Sequence, residues 1–349
     1  MTTAPPAPVP PSTPPTAAKT SRTAVLLGAQ RFNPTLGSVV ASLGIEGRVA
    51  LITAGWQERE REDDELSTHL GSNTVNLGLH ARGGAVFHED KELAAGHREK
   101  QDLLRHLQEI YRIRLEAAFE AEQAVRAYDT PAAIRDEVAA ASIEAIRGLD
   151  TWHIDQCARV RGEFETKFHL TERKAIIKQR AELKKLLKDC VAVAIAGGHV
   201  AVLINRLGLF DVDDLIEDRP VFAWSAGAMA VSDRIVLFHD DPPQGNVARQ
   251  VLDVGLGFVP STVVLPEPER RVNLDAHDRI MLVARRFAPA TCLAFPACSY
   301  VVWKDGRLQG AEGVIELTAD GEHRPFQPPA AGSVVPERRA AKVRDRRAR

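Results

Sequence analysis

Two short apolar runs, CVAVAIAGG at 190–198 and PVFAWS at 220–225, constrain this chain more than any other feature. Both are bounded by glycine or proline, both are too short for an ordinary helix, and both end on small residues. They read as buried strands, with HVAVLINRLGLF (199–210) as the helix that crosses between them. The rhythm also appears near the start. TAVLLGAQ (23–30) and RVALITAG (48–55) are strands, and TLGSVVASLGIEG between them is a helix stopped by glycine. NTVNLGLH (73–80) is a candidate third strand. Such strand–helix–strand alternation is the signature of a parallel sheet.

After residue 225 the alternation continues. AGAMAVSD starts a helix and STVVLPE (261–267) is a strand. LDAHDRIMLVARRF (274–287) is a helix with Asp275 in its first turn and Arg285 and Arg286 in its last, as the macrodipole favours. TCLAFPA, SYVVWKDGRLQG and GVIELTADGE are terminal strands, the middle one turning at KDG.

Between about Lys91 and Asp189 the character changes. Leu104, Leu107, Tyr111, Leu115 and Ala118 recur at helical spacing, Pro131 opens a second helical stretch, and Thr171 with Glu172 opens a third. Three or four helices are expected, arranged as a hairpin bundle. The bundle reads as packing scaffold or as an arm for a protein partner or self-association. The expected organisation is an α/β fold of three layers with a mainly parallel sheet, built from residues 21–90 and 190–332. The helical insertion 91–189 interrupts it, a Pro-rich lead (1–20) precedes it and a basic tail (333–349) follows it. Neither terminal segment has the composition to recover its ordering entropy, so neither is expected in the core.

Composition narrows the function classes. The chain has 349 residues, is 44% hydrophobic and carries a formal net charge of −2, which gives no field that calls for nucleic acid or a membrane surface. No run approaches the length of a membrane span, and the first 20 residues lack the apolar stretch of a secretory signal. The four cysteines, Cys157, Cys190, Cys292 and Cys298, show no metal-binding spacing, and a reduced, cytoplasmic chain is expected. Nothing in the sequence calls for a cofactor or a metal.

The chemistry centres on Ser225. It lies at the end of an apolar strand and the start of a small-residue helix, with Ala223, Ala226, Gly227 and Ala228 around it. A nucleophile on a sharp strand-to-helix turn needs such a frame, because larger side chains would collide. Gly197 and Gly198 end the strand upstream, where a backbone N–H can approach a substrate oxygen closely. The alternative is a packed turn in which the serine only caps its helix.

AGGHVAVLINRLG followed by VFAWSAGAMAVSD resembles the aspartyl dipeptidase and cyanophycinase family of serine peptidases, within the class I glutamine-amidotransferase-like superfamily and its flavodoxin-like sheet. GLGFVP (255–260) and the terminal SYVVWKDGRLQG also resemble that layout, and the likeness spans residues 22–88 and 190–320. The resemblance implies Ser225 as nucleophile of a hydrolase acting on a small peptide or amide, with the N–H groups of Gly198 and Ala226 as the oxyanion hole. The superfamily's amidotransferases carry cysteine where Ser225 stands, which argues against a glutaminase. The chain departs from the family in two places. Leu265, Pro266 and Glu267 occupy the stretch where the family has its catalytic histidine, and FPACSY holds no carboxylate where the family has its acidic partner.

A serine hydroxyl without a base is a poor nucleophile. His277, close to Asp275 and Asp278, is the first candidate for a displaced base. His199, His239 and Glu267 are others. Two readings therefore stay open: a serine hydrolase working through an acyl-enzyme, and an inactive family member that binds a partner through its helical insertion.

Overall fold

The computed structural model describes residues 22–240, 248–304 and 307–328. The expected lead (1–20) and tail (333–349) lie outside the described residues. The strands are β1 (Ala24–Leu27), β2 (Arg48–Ile52), β3 (Thr74–Asn76), β4 (Cys190–Ile195), β5 (Val221–Trp224), β6 (Arg234–Leu237), β7 (Gln250–Val254), β8 (Thr262–Pro266), β9 (Thr291–Phe295), β10 (Tyr300–Lys304), β11 (Arg307–Glu312), β12 (Ile315–Leu317) and β13 (His323–Pro325). Seven of them form the central sheet in the order β11-β10-β1-β5-β4-β2-β3. The run from β1 to β3 is parallel throughout, while β10 joins β1 antiparallel and β11 joins β10 antiparallel. The protein is thus mixed α/β with a large, mostly parallel central sheet.

Residue alternation explains why the sheet is buried on both sides. Leu26, Ile52, Val193, Ile195 and Ala223 face one apolar cluster, which also contains Leu183, Leu203 and Leu207 from helices. Their strand neighbours Val25, Leu27, Leu51, Ala194, Phe222 and Trp224 face another, closed by Leu36, Val39 and Val40 of the helix Leu36–Ser42. A strand with period-two side chains can be apolar throughout only when both faces are covered.

Of the strands after β5, only β10 and β11 extend this sheet among the described residues. β8 and β9 pair parallel and continue through β12 and β13 as a separate four-stranded sheet. β6 and β7 form an antiparallel pair of their own. The helix expected over 274–287 begins only at His277, which leaves Asp275 outside its first turn and puts Asp278 there. NTVNLGLH is split: β3 ends at Asn76 and a helix spans Leu79–Glu89.

The glycine-poor segment is helical. Two 37-residue helices, Lys91–Ala127 and Ala132–Phe168, pair as a hairpin, and a third spans Lys174–Leu187. Asp90 caps the first by accepting from the Leu93 N–H at 2.9 Å, and Pro131 stands at the cap of the second. At the base of the hairpin, Gly96 lets the Phe168 ring approach to where a Cβ would stand 2.0 Å from it. His97 meets Asn205 at 3.1 Å beside Phe87 and Phe164, which joins the hairpin to the helix Val200–Leu209.

The middle of the hairpin is bound by charge to the helix His277–Phe287 and to the segment at β7. Arg286 is fully buried. It donates to both oxygens of Asp150 (2.8 and 2.6 Å), to the Tyr111 hydroxyl (2.8 Å) and to the Arg249 carbonyl (2.6 Å). Tyr111 in turn donates to Asp150 at 2.6 Å and accepts from the Val251 N–H at 3.2 Å. Arg286→Ala leaves the Asp150 carboxylate buried without its cation and should destabilise by about 3–5 kcal/mol. Arg286→Met paired with Asp150→Leu should recover most of that loss in urea unfolding.

Burial of His97 lowers its pKa to about 4. The ring is therefore neutral in the fold, while the unfolded chain binds its proton near pH 6.5. Stability is fully present above pH 6.5 and is lost as pH falls toward 4. His97→Gln should flatten the decline of Tm over that window, measured by thermal melts from pH 7 to 4.

Candidate active site

Ser225 follows β5 directly. Its backbone sits at φ 51°, ψ −125°, a region that non-glycine residues rarely occupy, and it precedes the six-residue helix Ala226–Val231. Its hydroxyl makes no capping bond to that helix, so the alternative of a serine serving only as a cap does not hold. The helix is drawn tightly beneath the strand ends. A Cβ on Gly227 would stand 2.3 Å from the Ile195 carbonyl oxygen, so no larger residue fits there. A Cβ on Gly197 would come within 2.8 Å of Ser225 Cβ, which places the two strand-end turns in contact.

Gly198 takes φ +104°, and a Cβ there would meet the Gly55 carbonyl oxygen at 2.4 Å. Glycine is required at that position by conformation and by space. Among the described residues, neither the Gly198 N–H nor the Ala226 N–H donates a hydrogen bond within the protein. Both are free for an oxygen placed at the turn.

Ser225, Gly198 and Ala226 line a cleft of about 650 Å³ at the C-terminal ends of β1, β2, β4, β5 and β8. Ligands of open α/β sheets bind at this end, because the loops there converge. Gln30 organises the loop after β1: its amide donates to the Gly28 carbonyl (2.9 Å) and accepts from the Thr35 and Leu36 N–H groups (2.8 Å each). That leaves Arg31 at the cleft. The loop after β2 carries Trp56 and Arg59. The buried Glu60 anchors it, its carboxylate accepting from His80 N (2.7 Å) and Ala81 N (2.9 Å) and its carbonyl from Thr53 and Asn76. Trp56 and Trp224 supply apolar wall.

Charge is mixed. Arg59 pairs with Glu62 at 2.6 Å, and Arg271 Nε lies 3.7 Å from Glu267. Arg31 and Glu65 line the cleft with no ion-pair partner among the described residues. One histidine, His69, stands on the wall. No cluster of three or more His, Cys, Asp or Glu among the described residues could hold a metal ion. No helix there is long and apolar enough to cross a membrane.

The expected displaced base is not at the site. His277 is the first residue of its helix, and its ring turns to the β12–β13 connection, 3.1 Å from the Gly321 carbonyl oxygen and 3.2 Å from Glu322. It does not line the cleft. Asp278 is exposed and pairs with Arg126, so no carboxylate orients His277 toward the serine. His199 caps the helix Val200–Leu209, its Nδ1 accepting from Val202 N at 3.3 Å. His239 follows the cleft residue Phe238 without lining the cleft itself. Glu267 does line it, alongside Ser225.

Sequence reasoning missed Gln30, Arg31, Trp56, Arg59, His69 and Arg271. The first four follow β1 and β2 directly, and the rule that parallel strands present their C-terminal loops to ligand would have found them. His69 and Arg271 carried no such signal.

No family model matches the chain, and no curated protein matches it. Among solved structures it is similar to a peptidase from an acI-B1 Actinobacterium, at 13% identity and a TM-score of 0.41, over 88% of this chain and 97% of that one. Any assignment of chemistry therefore rests on the site itself: a strained serine at a strand end, two unpaired N–H groups and a cleft.

The strain is measurable. Ser225→Gly should raise the unfolding free energy by about 1 kcal/mol, because glycine takes this conformation freely. Gly227→Ala should lower it by about 1–3 kcal/mol through overpacking against Ile195. Urea titrations of both variants read the two effects.

Proposed function

We propose that the protein is a serine hydrolase of the aspartyl dipeptidase and cyanophycinase type, with the class I glutamine-amidotransferase-like fold, acting on a small peptide or related amide. The observation that carries this reading is the backbone of Ser225, held at φ 51° with its hydroxyl uncommitted at the cleft. Strain of about 1–3 kcal/mol persists where surrounding structure enforces it, and sites of chemistry are where that recurs.

In this reading Ser225 Oγ attacks the substrate carbonyl carbon. The oxygen that becomes negative accepts from the N–H groups of Gly198 and Ala226. Each such donor, fixed in advance and shielded from water, is worth about 3 kcal/mol in the transition state. The N–H of the residue after the nucleophile serves this role wherever the strand–serine–helix turn is used. Trp56 and Trp224 shield the cleft, and Arg31 offers an uncommitted cation to a polar substrate.

One observation favours a second reading, binding without turnover: among the described residues, no imidazole hydrogen-bonds Ser225. The proposed division of the chain gives this reading a surface in the helical insertion.

A fluorophosphonate probe separates the two. The hydrolase reading expects covalent labelling of the wild type at Ser225, located by peptide mass spectrometry. Labelling should vanish in Ser225→Ala while Tm changes little. A folded wild type that takes no label supports binding without turnover.

A further inference from the structure

We infer that Glu267 is the proton acceptor for Ser225, so that the site works as a serine–glutamate pair in which no histidine takes part. The inference rests on the hydrolase reading above and supplies the base which that reading leaves open.

Three observations converge on Glu267. The first is position. The helix that follows Ser225 packs against β8, and Ser232 at that helix's end bridges to Val259 just ahead of β8. Glu267 is the first residue beyond β8, so the elbow and this carboxylate are carried by neighbouring elements and line one cleft. The second is conformation. Glu267 sits at φ 54°, ψ 53°, in the left-handed region where glycine, asparagine or aspartate is the usual occupant. Its N–H is pinned to the Phe295 carbonyl at 3.2 Å. Like Ser225, it holds a positive φ that glycine would hold with less strain. The third is the carboxylate's partner. Arg271 approaches one oxygen at 3.7 Å, beyond hydrogen-bond reach, and its side chain is 43% exposed. Such a pair is solvent-screened and weak, so it leaves the carboxylate available.

The other titratable groups on the wall are less suited. Glu62 is bound to Arg59. His69 ends the helix that leads to β3 at the sheet edge, and Glu65 belongs to the same helix. β3 is three strands from β5, roughly 14 Å at the usual strand spacing.

The step balances without any further reagent. As the Ser225 Oγ–carbon bond forms, the hydroxyl proton passes to the Glu267 carboxylate and the carbonyl π pair moves to oxygen. On collapse the carbon–nitrogen bond breaks, and the protonated Glu267 returns its proton to the departing amine. Water repeats the sequence on the acyl-enzyme, with Glu267 again as base.

The test is the rate of fluorophosphonate labelling of the full-length protein. Glu267→Gln, which keeps size and backbone, should slow labelling by about 10²- to 10⁴-fold with Tm unchanged. In Glu267→Ala, added formate should restore part of the rate, because a free carboxylate can enter the vacated space; a merely structural role would not respond to formate. Glu267→Gly should raise Tm while slowing labelling to the same degree. Wild type that labels at Ser225, with Glu267→Gln labelling equally fast, overturns the glutamate base and leaves the hydrolase reading standing. Wild type that takes no label overturns both.

Discussion

The buried ion pair between Arg286 and Asp150 is the contact on which the rest of the architecture turns. A guanidinium with no solvent exposure is tolerated only when its donors are met, and here two carboxylate oxygens, a phenol and a carbonyl meet them. The partners come from separate elements: Asp150 and Tyr111 from the two helices of the hairpin, and Arg249 from the segment that leads into β7. From Arg249 the connection continues. Its guanidinium is bidentate to Asp240, whose carboxylate accepts from Asn273 N and whose N–H donates to the Arg271 carbonyl at 2.9 Å. Arg271 is a cleft residue. A series of contacts therefore runs from the core of the helical hairpin to the wall of the cleft that Ser225 also lines. The hairpin is part of what places that wall, whatever else it does.

A second constraint acts at the cleft. Ser225 and Gln57 adopt nearly the same backbone angles, at φ 51° and 59° with ψ −125° and −121°. Both stand in turns that follow parallel strands. Small residues surround the first, and the buried Glu60 and Asn76 fix the second through the Thr53 hydroxyl and the Glu60 carbonyl. These contacts hold positive φ at residues that would avoid it in isolation. Glycine at Gly197, Gly198 and Gly227 supplies the space, since each added Cβ would collide with backbone or with Ser225. Tight packing and strain are thus one feature seen from two sides.

How much of this was legible in the sequence depended on how local the cause was. β4, β5 and the small-residue frame of Ser225 were legible because burial on both faces leaves an unbroken apolar run, and a sharp turn leaves only small residues. The helices of the central segment were legible from spacing, from Pro131 and from the scarcity of glycine. The second sheet was not. β8, β9 and β12 have the same apolar character as strands of the central sheet, and only tertiary packing decides which sheet a strand joins. His277 misled for a related reason. It is near Ser225's expected partner in sequence, but the helix begins at His277 itself, and its ring is taken by the β12–β13 connection. The cleft arginines come from three separate segments, and only the fold brings Arg271 to the cleft that Arg31 and Arg59 line.

Glu267 shows how geometry changes the reading of a position where a sequence resemblance breaks off. Read along the chain, LPEPE is only a place where a histidine is missing. In the fold, the strand ends at Pro266 and the next residue is a carboxylate in a left-handed conformation, at the cleft, with its N–H held by the neighbouring strand. If Glu267 is the proton acceptor proposed above, its carboxylate must face the space that Ser225 faces, and the cleft that both residues line provides that space.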